Sequence, residues 1–244
     1  MARSRGRKIT MVGLLVGVFA LAVGGAIGAL GGQAQVKTST TTTSTAPTTT
    51  LPPIANLGDV AAQLGQLVDA GRTVQYAAVY SVTDPTLPKG LVQSLELWRK
   101  GKLFRSDIVQ RDGSGTTRNT IITGGAVVRS CTTVKGQQTC KSISGDPPRD
   151  LPGEFIARIV TAKTPPVVKV RNDAVAGYVA KCFTVTGIGD VKTTPKDQKG
   201  KGELCLAGDG TMLRLVLQGA TIVLTHIDSD VPDTAFETVA PTDS

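Results

Sequence analysis

Apolar positions recur at intervals of three and four from Leu57 through Val60, Ala61, Leu64 and Leu67 to Val68. That spacing predicts an amphipathic helix, with Gly71 placed to end it. The period then changes to two. Val74, Tyr76, Ala78, Tyr80 and Val82 fall on one side of the chain, and Thr73, Gln75, Ala77, Val79 and Ser81 on the other, as in a strand with one apolar face. Beyond the Asp84-Pro85-Thr86-Leu87-Pro88 turn, Leu91, Leu95 and Leu97 alternate with Ser94 and Glu96. Gly101-Lys102 turns the chain into residues 103–111, where Phe104 and Ile108 share a face. Asp112-Gly113-Ser114-Gly115 leads into 116–123, Gly124-Gly125 into 126–132, and a hairpin around Gly136 returns through Cys140. Turns at this close spacing argue for strands that neighbour one another antiparallel.

The alternation breaks at the Gly145-Asp146-Pro147-Pro148 loop. Residues 151–162 place Phe155, Ile156, Ile159 and Val160 on one helical side before Thr164-Pro165-Pro166. Strands resume over 167–172, 178–186, 202–206, 211–218 and 221–228. Residues 191–201 carry no apolar period and read as a mobile loop. The order is helix, about six strands, helix, about five strands. An antiparallel sheet of that length curls because strands twist. The two amphipathic helices are the candidates to cover its inner side. The expected architecture is α+β: a strongly curved antiparallel sheet, a half-open barrel of about 11 strands, with two helices covering its concave face.

Composition changes the picture at the N-terminus. The 244-residue chain carries a net charge of +8, but Arg3, Arg5, Arg7, Lys8 and Lys37 fall in the first 50 residues without any acid. The remainder is nearly balanced, which disfavours a nucleic-acid partner. Residues 9–30 contain no charge and, at 1.5 Å per residue, would span roughly 33 Å as a helix. The basic residues before this run orient the bulk of the chain to the outside of the cell membrane. We expect a cytoplasmic basic tail over 1–8 and a single transmembrane anchor over 9–32. The competing reading is a signal peptide cut near Gly32-Gln33-Ala34, for which the apolar run is long. Residues 37–53 hold nine Thr, two Ser and three Pro. They bury nothing and read as a solvated stalk within a 33–54 linker, up to about 50 Å long if fully extended. The folded domain occupies 55–244.

Four cysteines fit an oxidising compartment. Cys131 and Cys140, and Cys182 and Cys205, each would close a predicted hairpin. Two other pairings, or four free thiols, remain open on spacing alone. Neither pair has zinc spacing, and His226 is the only histidine, so no metal set or catalytic triad is assembled. Asp228, Asp230 and Asp233 lack a calcium-loop glycine pattern. Arg99-Lys100-Gly101-Lys102 reads as a solvated or headgroup-facing hairpin tip. No catalytic residue and no cofactor are expected.

The segments LELWRKGKLFRSDI, TIITGGAVVRSC, AGYVAKCFTVTG, GELCLAGDGTMLRL and VPDTAF, following an N-terminal helix, resemble the LolA-like superfamily over about residues 55–240. They are similar in particular to the LppX/LprG-type extracytoplasmic lipoproteins of actinobacteria. The resemblance implies an apolar ligand, an acyl chain or lipidated terminus, held between sheet and helices without covalent chemistry. This chain has no lipid-attachment cysteine, and the transmembrane run would replace that anchor. The candidate cavity lining is Tyr76, Ala78, Tyr80, Leu95, Leu97, Phe104, Ile108, Leu213 and Leu215. On periodicity alone each is equally a core residue. The alternative is a protein-interaction or sensor module of the same fold with a filled core, working with a membrane-protein partner.

Overall fold

A computed structural model describes residues 57–125, 127–144, 150–162, 165–188, 200–217 and 219–238. The expected tail, anchor and stalk, the 145–148 loop and nearly all of the 191–201 loop lie outside the described residues. Among the described residues no helix is long and apolar enough to cross a membrane.

Helix α1 (Leu57–Thr73) leads into a meander of β1 (Tyr76–Thr83), β2 (Val92–Lys100), β3 (Leu103–Asp112), β4 (Gly115–Thr123), β5 (Val128–Val134) and β6 (Gln137–Ile143). Helix α2 (Leu151–Val160) separates it from a second meander of β7 (Val167–Val175), β8 (Tyr178–Thr186), β9 (Lys201–Leu206), β10 (Met212–Leu217) and β11 (Ala220–Asp228). A 3-10 turn, Asp233–Phe236, follows. The strands form one open antiparallel sheet in the order β6-β5-β4-β3-β2-β1-β11-β10-β9-β8-β7. The first and last strands meet at its centre, Tyr80 opposite Leu224 and Ala78 opposite Ile227, with a bulge between Val79 and Tyr80.

One face of the sheet carries the core. Register puts Tyr80 beside Leu95, Leu95 beside Ile108, Leu215 beside Leu204 and Leu204 beside Phe183. These residues, Val60, Leu64 and Val68 of α1, and Leu151, Phe155 and Ile159 of α2 are buried in a single cluster. The alternation of period two and the stripe of period 3.6 therefore converge on one apolar interior. Phe155 lies against Gly202, where a Cβ would come within 2.9 Å of its ring.

Two details of the expected helices differ. The buried stripe of α2 is Leu151, Phe155 and Ile159, spaced by four. Val160, the last residue of the helix, is turned about 100° from Ile159 and is 73% exposed. Gly71 does not end α1, which runs to Thr73. Its role is close approach, because a Cβ there would meet the Gly210 carbonyl carbon at 2.8 Å. Asp150 caps α2, accepting the Gly153 amide at 2.9 Å.

The opposite face is polar and cross-linked. Cys131–Cys140 joins β5 to β6 and Cys182–Cys205 joins β8 to β9, the expected pairing, in both cases between residues directly opposite in register. Beside each lies an ion-pair cluster. Asp107, fully buried, takes both arms of Arg105 at 2.7–2.8 Å and a further bond from Arg118, which also reaches Glu96 at 2.7 Å. Glu203 accepts from Arg171 and Arg214, each at 2.9 Å. The segment after β11 crosses the β2–β5 side of this face. Lys100 donates to the Val231 carbonyl, Arg105 to the Ala235 carbonyl and Arg129 to the Thr238 hydroxyl.

Candidate functional site

The last turn of α1, the N-terminus of α2 and strands β1–β3 converge on a small cleft. Its wall is apolar: Val68, Tyr76, Leu97, Phe104, Leu151 and Met212. Its rim is charged: Arg72, Arg99 and Asp150. The free space within is about 30 Å³, room for a water molecule or two and not for an acyl chain.

Each rim residue is placed by its element. Asp150 is the N-cap of α2, so its carboxylate must sit at the helix end. There it also receives Arg72 Nε at 3.2 Å and Arg99 Nη2 at 3.5 Å. Arg72 is in the last turn of α1 and reaches outward to Asp69 at 2.8 Å. Arg99 rises from β2, opposite Tyr76 on β1 and Phe104 on β3. Its guanidinium stacks over the Phe104 ring at 4.8 Å and its side chain is only 13% exposed. Its Nη1 reaches the Arg72 carbonyl at 3.4 Å, and its buried Nε meets no acceptor. One carboxylate thus ties both helices to the sheet at the cleft mouth.

Two phenols of β1 are buried, Tyr76 in the cleft wall and Tyr80 in the packed interior. Burial pushes the Tyr76 hydroxyl above the usual tyrosine range, and the charge of Arg99 draws it part of the way back. Burial holds Tyr80 well above that range. Its hydroxyl donates to the Met212 carbonyl at 2.9 Å, so its partner is backbone.

Of the nine expected lining residues, Tyr76, Leu97 and Phe104 line the cleft. Ala78, Tyr80, Leu95, Ile108, Leu213 and Leu215 are buried in packed interior away from it. Sequence reasoning missed Val68, Leu151 and Met212 as lining, and the rim entirely. Asp150 directly before Leu151-Pro152 was a legible helix-cap signal. Nothing in the sequence indicated which cations it would hold. Arg99, expected at a solvated or headgroup-facing tip, is turned inward by Phe104 and Asp150, and its neighbour Lys100 pairs with Asp233 at 2.8 Å.

The other candidate groups take no part in the cleft. His226 is exposed on β11 opposite Val79. Asp228 accepts the Asp230 amide at 2.9 Å in a turn. Cys182, Glu203 and Cys205 lie within metal-binding reach of one another, but both sulfurs are spent in the disulfide.

No protein-family model matches the sequence and no curated protein matches it. Among solved structures the chain is similar to MucB, with 17% identity over 75% of this chain and 64% of that one and a TM-score of 0.45. It is similar to the Pseudomonas aeruginosa MucA/MucB complex, with 17% identity over 74% and 61% and a TM-score of 0.47. It is also similar to a DUF1329 family protein from Desulfovibrio piger, with 14% identity over 73% and 95% and a TM-score of 0.32. The chain spans a little over three-fifths of the MucB chains it matches.

Proposed function

We propose that residues 55–244 form a LolA-like, non-covalent binding module for an apolar or amphiphilic ligand such as a lipid or lipopeptide. It works outside the cytoplasmic membrane, tethered to it by the 9–32 run, and is akin to the LppX/LprG-type lipoproteins. The helices lie in the hollow of the half-open sheet, and the ligand enters between them and β1–β3. The observation that supports this most is the cleft itself, an apolar wall under a guanidinium rim where both helices meet the sheet. Arg72, Arg99 and Asp150 form the charged rim of its mouth. At about 30 Å³ the cleft is shut, so taking up an acyl chain requires the helices to part from the sheet. An acyl chain offers about 0.8 kcal/mol per buried methylene toward that opening. A tether of at most about 50 Å confines the work to extraction, presentation or handover near the membrane surface.

The filled interior favours a second reading, a protein-interaction or sensor module that meets a membrane-protein partner with its surface. Native mass spectrometry of the full-length chain, with uptake of a fluorescent fatty acid, separates the two. Co-purified or captured lipid supports the first. Its absence, together with crosslinks to one membrane protein, supports the second.

A further inference from the structure

Arg99 is a largely buried charge whose donors are incompletely matched. A guanidinium offers five N–H donors in a fixed fork and is costly to bury without acceptors. Arg99 is 87% buried by its side-chain exposure of 13%. Yet its contacts to oxygen acceptors are long, 3.5 Å to Asp150 and 3.4 Å to the Arg72 carbonyl, the Tyr76 hydroxyl is its further polar neighbour, and its Nε has no acceptor. Arg105 on the other face shows what the same side chain does when served, with three bonds of 2.6–2.8 Å. Arg99 lines the cleft together with Leu97, Phe104 and Met212, its guanidinium over the Phe104 ring. Arg72 stands beside it, and its other carboxylate partner, Asp69, lies outside the cleft and is 72% exposed.

Resting on the binding reading above, we infer that Arg99, with Arg72, receives the anionic oxygen headgroup, carboxylate or phosphate, of a single-chain amphiphile whose tail lies against the Leu97–Phe104 wall. The headgroup takes the place of the Asp150 carboxylate at the two guanidiniums. Binding the head therefore removes the ties that hold α1 and α2 to β2 and admits the tail. Planar, bidentate acceptors suit the fork best.

The test uses the full-length chain and three probes: 1-palmitoyl lysophosphatidate, 1-monopalmitoylglycerol and inorganic phosphate, each competed against a fluorescent fatty acid below micelle concentration. The expected result is lysophosphatidate at least tenfold tighter than monopalmitoylglycerol, with no displacement by phosphate. Arg99→Gln, and independently the more exposed Arg72→Gln, should shrink that preference to threefold or less, and a preference that stays tenfold in both variants overturns the headgroup assignment. Equal affinity for the two lipids overturns the headgroup assignment and leaves the binding reading standing. Displacement by phosphate at the same concentration as lysophosphatidate overturns it in favour of a free-anion site. Binding of neither lipid overturns both.

Discussion

Replacing Gly210 by alanine should loosen α1 from the sheet. Gly210 lies in the β9–β10 turn at φ +85°, where an L side chain is strained by about 1–2 kcal/mol. Its added Cβ would also come within 2.8 Å of Gly71 Cα and would overlap the Leu67 carbonyl, both in the last turns of α1. These are backbone atoms that cannot swing aside, so an overpacking cost of about 1–3 kcal/mol is added. The expected loss is about 3 kcal/mol, read from urea unfolding at constant m value. For a domain of this size it lowers Tm by about 2–4 °C per kcal/mol. Gly71→Ala gains up to about 1 kcal/mol of helix propensity but meets the Gly210 carbonyl, for a net loss of about 1–2 kcal/mol. Gly208→Ala is the control: it has open space around it and should stay within about 0.5 kcal/mol of the parent. If Gly210→Ala matches Gly208→Ala in stability, α1 is not seated on this turn and the account of the cleft fails with it. If α1 is the moving element of ligand entry, Gly210→Ala should also take up a fluorescent fatty acid faster than the parent.

Tyr80→Phe leaves the Met212 carbonyl without its buried donor and should cost about 1–2 kcal/mol in denaturant unfolding. Alkaline titration followed at 295 nm should show Tyr76 and Tyr80 ionising only above the usual tyrosine range. The folded form keeps protons that the unfolded form gives up, so stability should fall as pH climbs beyond about 10. At acid pH the sign reverses. Burial of Glu203 is outweighed by hydrogen bonds from Arg171 and Thr184 and the charge of Arg214, and Asp173 is held down chiefly by its hydrogen bond from Arg171. Both contribute stability above their unfolded values near 4, and it is lost as pH falls through their lower folded ones. Arg171→Met should therefore move the acid-unfolding midpoint upward. Removing Cys131–Cys140 and Cys182–Cys205 by paired alanines, with sequence separations of 9 and 23, should cost about 2.5 and about 3.5 kcal/mol by loop entropy, the longer loop more. An equal or reversed ranking in guanidinium melts would count against that model.

The strands were legible because nearly all carry the same signal, alternation broken by Gly, Pro or Asp turns. Turns such as Gly101-Lys102 and Asp209-Gly210 fall where the period resets. The disulfide pairing was legible for the same reason, since each pair brackets a hairpin or a loop between neighbours. What was not legible is contact between distant residues. Asp150 meets Arg72 and Arg99, which lie 78 and 51 positions away, and nothing local marks them as partners. Nor can alternation tell a residue lining a space from one filling it, because Tyr80 and Tyr76 occupy equivalent positions on one strand. Only the proximity of Met212 decides that the first is sealed and the second borders the cleft. Val160 was misplaced because a four-residue cluster of apolar side chains at 155, 156, 159 and 160 does not say which edge of the stripe faces inward.

The seam between β1 and β11 sets when the molecule can be finished. Each meander can zip up from neighbours as it is made, but the central pairing joins residues 146 positions apart, such as Thr225 and Val79. Until the final strand arrives, both halves expose an unpaired edge beside their apolar side, the arrangement most prone to mispairing. A chain that emerges N-terminus first therefore cannot complete this domain midway. Assembly waits for residues 220–228, and a truncation before 220 would leave the two half-sheets without the strand that joins them.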